Sequence, residues 1–161
     1  EVEQQFPRRV EKLILGSALV LSDEEQAFFT NMVEEERRFV YRPDGTHLLD
    51  AYRVRYDMYG KNPLPDPRLI TRYTVERFMG YGPFWYGHHA AFAYDHAAAI
   101  MKIRRPTLIL TNTGDQIYEN SKAAHRMRPD FDFCAVEGGG IDIMDQEPEP
   151  WVRAIDDYMR A

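Results

Sequence analysis

The chain has 161 residues, a net charge of −6, 44% apolar residues and 13% aromatics. That composition excludes a disordered chain, and an acidic balance with pI near 5.4 argues against a nucleic-acid partner, which calls for a basic face. No apolar run approaches the ~20 residues of a membrane helix, and the first residues lack a signal-peptide pattern, so no membrane partner is expected. With Cys134 as the sole cysteine an internal disulfide is excluded, which fits a cytoplasmic location; Cys134 itself, inside an apolar run, reads as a core residue.

In chain order, residues 1–6 read as a helix tail that Pro7 punctuates, and 10–17 as a short strand entering a loop. Ser22-Asp23-Glu24-Glu25 has the form of a capping box and opens a helix running to about Tyr41. Phe28, Phe29, Met32 and Val33 lie on one side of it, and Glu34-Glu35-Glu36-Arg37-Arg38 read as a solvated face. After the Pro43-Asp44-Gly45 turn, Thr46 caps a second helix with Leu48, Leu49, Tyr52, Tyr56 and Tyr59 at helical spacing, ended by Gly60. Residues 61–67 hold three prolines and read as a rigid connection, with Pro67 in the first turn of a third helix over 68–79 that buries Leu69, Ile70, Tyr73 and Phe78.

Residues 80–87, Gly-Tyr-Gly-Pro-Phe-Trp-Tyr-Gly, alternate aromatics with breakers, which speaks against a regular helix there. The rings either plug a core or form an aromatic wall of a pocket. An alanine-rich helix over 88–103 follows, and after Pro148 and Pro150 a closing helix turns Trp151, Val152, Ile155 and Met159 inward.

The stretch 106–145 organises the rest. Thr107-Leu108-Ile109-Leu110-Thr111 is an apolar, β-branched run without polar alternation, which suits a strand buried on both faces. Asn112-Thr113-Gly114-Asp115 is a turn, 120–128 a helix, and Phe131-Asp132-Phe133-Cys134-Ala135-Val136 a second strand that Gly138-Gly139-Gly140 stops. Strand–helix–strand spacing makes a parallel crossover in an α/β fold, and the loop after its first strand opens at the carboxyl edge, where such sheets place their chemistry. Asp115 stands in that loop; it could equally cap the next helix or close the turn.

This order resembles the carboxy-terminal half of the α/β-hydrolase superfamily along nearly the whole chain. Residues 6–15 look like the segment entering the sixth strand, 22 to about 98 like the inserted cap, and 94–110 like the return from cap to core. Gly114-Asp115 matches the family's acid motif and Glu137-Gly138-Gly139-Gly140 the approach to its histidine loop. The resemblance implies a partial α/β-hydrolase fold of parallel strands with a four-helix cap: core over 1–21, cap over 22–98, core over 99–161. Two departures stand out. The nucleophile motif Gly-x-Ser-x-Gly is absent and by the family pattern would lie roughly ten residues before Glu1, so the missing amino-terminal half of the fold is the expected partner. Ile141 stands where the histidine base would follow the glycines, and an isoleucine accepts no proton.

The resemblance implies a hydrolase acting on a small apolar ester, or on a related carbon–carbon or carbon–halogen bond. Asp115 would be its acid, with Tyr81, Phe84, Trp85, Tyr86, Tyr118 and Ile141 shaping the pocket. The rival expectation is a non-catalytic protein that closes over a small apolar molecule, as some hormone receptors of this fold resemble. A self-contained helical protein with a small sheet is the third, although a three-stranded parallel sheet leaves long exposed edges. No cofactor is called for: His89, His96 and Asp95 lack the i, i+4 histidine pair of a helical zinc site, and the glycine triplet lacks phosphate-loop spacing. His88 or His89 could serve as a substitute base, Ser17 lacks the setting of a nucleophile, and Asp142 and Asp145 read as caps of a short turn. The oligomeric state stays open, a homodimer included.

Overall fold

A computed structural model describes residues 1–59 and 66–161. In chain order the elements are α1 (Val2–Gln5), a 3₁₀ turn (Pro7–Arg9), β1 (Leu13–Gly16), α2 (Asp23–Arg37), α3 (Thr46–Asp57), α4 (Pro67–Met79) and α5 (Trp85–Ala93). They continue with α6 (His96–Met101), β2 (Thr107–Asn112), α7 (Tyr118–Met127), β3 (Asp132–Val136), α8 (Ile143–Gln146) and α9 (Pro148–Arg160). The chain forms two compact units, one of Glu1–Leu21 with Asp95–Ala161, the other of Ser22–Tyr94.

The first unit is built around β2. All of its six residues are buried, and it pairs in parallel with β1 on one side and β3 on the other. Successive side chains of a strand point to opposite faces, so one run feeds two cores. Ile109 meets Ile100 of α6, Ala124 of α7 and Phe131; Leu108 and Leu110 meet Ile143 of α8 and Trp151 of α9. Helices therefore cover both faces, the condition a continuous apolar strand requires. Arg128 ties α6 to the segment after α7. It donates to the carbonyls of Ile100 (2.7 Å) and Ile103 (3.0 Å) and pairs with Asp130, a cation placed at a helix C-terminus.

Two loops at the carboxyl edge of this sheet are fastened together. The buried Asn112 side chain donates to the carbonyls of Gly138 (3.0 Å) and Gly140 (3.2 Å), and the Gly114 amide donates to Gly138 (3.1 Å). Gly114 is required by this approach: a Cβ on it would lie 2.1 Å from the Gly139 carbonyl oxygen, a backbone atom that cannot swing aside. Gly139 sits at φ +67°, where other residues are strained.

The second unit holds four helices among the described residues. Its capping box is present: Ser22 Oγ accepts from the Glu25 amide and the Glu25 carboxylate accepts from the Ser22 amide (2.8 Å). α2 packs on α5 and α3 on α4. Phe39 gathers Tyr41, His47, Phe78 and Phe84 at ring separations of 5.1–5.9 Å, while Phe29 stacks on Phe92 at 4.3 Å. Several local expectations are corrected. Thr46 does not cap α3. Gly45 at φ +75° takes that position, and the Asp44 carboxylate accepts from the Thr46 amide and hydroxyl. Residues 80–87 are partly helical, since α5 already begins at Trp85, two residues past Pro83. The single helix expected over 88–103 is broken between Tyr94 and Asp95, where the Asp95 carboxylate caps α6 through the Ala98 amide at 2.9 Å. Phe28, expected inside, is exposed. The Gly60 stop and most of the 61–67 connection lie outside the described residues.

Two outcomes follow for the first unit. Leu110→Ala should lower the unfolding free energy by about 3 kcal/mol, read as a shifted urea midpoint at unchanged slope. Gly114→Ala should force the two loops apart and cost about 2 kcal/mol or more, whereas Gly16→Ala, which meets nothing within 4 Å, should cost well under half of that in the same titration.

Candidate functional site

The carboxyl edge of the sheet brings three oxygen-bearing side chains together. The register places Gly16, the last residue of β1, beside Leu110, so Ser17 emerges next to the end of β2. The Ser17 amide donates to the Leu110 carbonyl (2.9 Å), and its φ of +56° is unusual for a residue with a side chain. Ser17 Oγ donates to Asp115 Oδ2 at 2.5 Å and lies 3.2 Å from Thr111 Oγ1. Asp115 is half-buried; its other oxygen accepts from the Ile117 amide (3.1 Å), and its carbonyl accepts from the Tyr118 amide (3.2 Å). Both carboxylate oxygens are thus engaged, one by the start of α7 and one by a hydroxyl at charge-assisted range. No histidine is among these partners of Asp115.

On the other loop, Ile141 follows the fastened glycines and is 38% exposed. Asp142 is buried, and its carbonyl accepts from the amides of Asp145 (2.9 Å) and Gln146 (3.0 Å), opening α8. The Asp142 side chain does not cap α8, which begins with no side-chain hydrogen bond at its N-cap and is closed there by backbone. Tyr118, the first residue of α7, is half-buried with the Lys122 ammonium 5.2 Å from its ring centre. Asp115, Tyr118 and Ile141 all belong to the first unit.

The four cap aromatics belong to the second. Tyr81 is fully exposed there; Phe84 packs into the Phe39–Phe78 ring cluster beneath the Arg77 guanidinium (4.1 Å). Trp85 and Tyr86 meet edge to face at 4.6 Å, with Arg37 over the indole at 5.0 Å. The structure therefore puts Phe84 in one ring group, Trp85 and Tyr86 in another, and Tyr81 at the surface. It also places a cavity of about 370 Å³ in this unit, lined by Phe39, His47, Val54 and Arg77 among others and by none of the four.

One cluster escaped the sequence. Glu36, read as part of a solvated charge run, has a side chain only 13% exposed; it takes Arg77 on one oxygen (3.2 Å) and His88 Nδ1 on the other (2.7 Å). Nothing in a Glu-Glu-Glu-Arg-Arg run distinguishes its third member, since only the neighbouring helices decide which carboxylate turns inward. His89 lies edge-on to Trp85, His96 opens α6, and His125 packs on the Phe133 ring. Ser17 was similarly hidden, because its partner lies 98 positions away.

No family model matches the sequence, and no curated protein matches it. Solved structures do. The bromoperoxidase from Bacillus anthracis superposes with a TM-score of 0.71 at 15% identity, over 95% of this chain and 59% of that one. The enol-lactonase from Burkholderia xenovorans LB400 gives 0.65 at 15% identity, over 99% and 60%. The esterase from Thermogutta terrifontis gives 0.60 at 20%, over 98% and 58%. This chain thus spans 58–60% of the length of these three structures. At such identities the likeness speaks for the fold, and with the parallel sheet and its covering helices it leads to one conclusion: the chain has a partial α/β-hydrolase fold.

Proposed function

We propose that this chain supplies the cap (22–98) and the carboxy-terminal core (1–21 and 99–161) of an α/β-hydrolase-fold hydrolase. Its substrate would be a small apolar ester or a related carbon–carbon or carbon–halogen bond. The observation that carries the reading is Asp115: a half-buried carboxylate on the loop after the central strand, oriented by the Ile117 amide at the carboxyl edge. A nucleophilic hydroxyl from a complementary amino-terminal portion attacks the ester carbonyl and passes its proton to a base. The alcohol leaves with that proton, and water then cleaves the acyl intermediate to the acid. Asp115 holds the base and stabilises its cation.

A second reading has its own observation. Ile141 follows the glycines where the resemblance calls for a histidine, and one Asp115 oxygen is taken by Ser17. Those facts favour a non-catalytic protein on the same fold that binds a small apolar ligand without turnover.

The two readings separate in the complete protein. The hydrolase reading expects a fluorophosphonate probe to label a serine, and Asp115→Ala to lower kcat on short-chain p-nitrophenyl esters by about 10³-fold with little change in KM; unchanged hydrolysis in that variant would sink it. The binding reading expects no turnover in the natural sequence and a measurable gain in Ile141→His. That gain should grow when Ser17→Gly, a change suited to the positive φ, frees the Asp115 oxygen.

A further inference from the structure

The cavity of the helical unit has features of a ligand site in its own right. Its volume, about 370 Å³, falls within the range of small-molecule pockets, and its lining is mixed. Phe39 and Val54 give apolar walls, His47 lines the cavity too, and Tyr41 and Phe78 pack against the Phe39 ring. Arg38, Arg42 and Arg77 face it against one carboxylate, Asp50.

Those arginines are not equally satisfied. Arg42 is paired with Asp50, and Arg38 pairs with Glu35 in a contact 71% exposed on both sides, which water and salt weaken readily. Arg77 differs. Its side chain is only 27% exposed, one terminal nitrogen reaches Glu36 at 3.2 Å, and its Nε is buried with no hydrogen-bond partner. Glu36 is shared with His88 and so serves two groups at once. Burial, and then the charge of Arg55, push the Arg77 pKa down more than Glu36 draws it up, yet a guanidinium stays protonated at any physiological pH. The fold thus holds a largely buried cation, offset by Glu36 and by the Phe84 ring, that keeps one buried N–H without an acceptor next to an open cavity. A carboxylate has the planar, two-oxygen form that a guanidinium fork recognises.

We propose that this cavity binds a small organic monoanion with a compact apolar body, of the aromatic-carboxylate class, with Arg77 as its charge partner and Phe39 and Val54 as walls. A dianion such as phosphate suits it less, because Asp50 lines the cavity, Glu36 already pairs with Arg77, and Phe39, Val40, Ala51 and Val54 are apolar. Its lining comes wholly from residues of the helical unit, and the proposal does not depend on whether the protein hydrolyses anything.

Amide-shift titration of the protein with benzoate tests this, with benzyl alcohol, acetate and inorganic phosphate as comparisons. Benzoate should saturate with a Kd of about 1 mM or tighter, with shifts centred on Phe39, His47, Val54 and Arg77. Benzyl alcohol, acetate and phosphate should each bind at least about fivefold more weakly. Arg77→Met should weaken benzoate about tenfold or more at unchanged helical circular dichroism; if that variant does not fold, the more exposed Arg42→Gln should weaken it about threefold. Absence of saturable shifts, shifts centred elsewhere, or benzyl alcohol binding as well as benzoate would each overturn the assignment, as would full affinity in the folded Arg77 variant.

Discussion

Full burial of β2 is the constraint on which the first unit depends. A strand with six buried residues must have its backbone groups paired on both edges and its side chains packed on both faces. β1 and β3 meet the first demand and α6, α7, α8 and α9 the second. Its apolar members contribute about 2 kcal/mol each by leaving water, which makes this strand hard to replace and its carboxyl end a fixed point.

From that fixed point the loops at the carboxyl edge are positioned by short links. Asn112, still buried, holds two glycine carbonyls of the opposite loop; Gly114 lets the backbones touch; Asp115 then begins the turn into α7. A rigid strand end followed by a fastened loop is how a scaffold presents a carboxylate with little freedom. Here the carboxylate is presented to Ser17, and Ile141 comes off the opposite, fastened loop. The helical unit concentrates its charge differently: Glu36 stands between Arg77 and His88, and an arginine-lined cavity lies alongside.

By itself the sequence determined what depends on neighbours in the chain. The unalternating run 107–111, the strand–helix–strand spacing, the Ser22–Glu25 capping box and Pro67 at a helix start are local patterns with local causes, and each appears in the structure. Asp115 could be located because a turn after a buried strand has only one place to go. Helix ends near breakers were less legible: the α5 start at Trp85 and the break before Asp95 turn on which competing cap is satisfied, and composition does not rank those. Only the tertiary structure decided the partnerships between distant residues. Ser17 meets Asp115 because strand register sets them side by side across 98 positions, and Glu36 turns inward because α4 and α5 bring Arg77 and His88 to it. Side-chain pairing across that distance depends on packing, which leaves no periodicity to read.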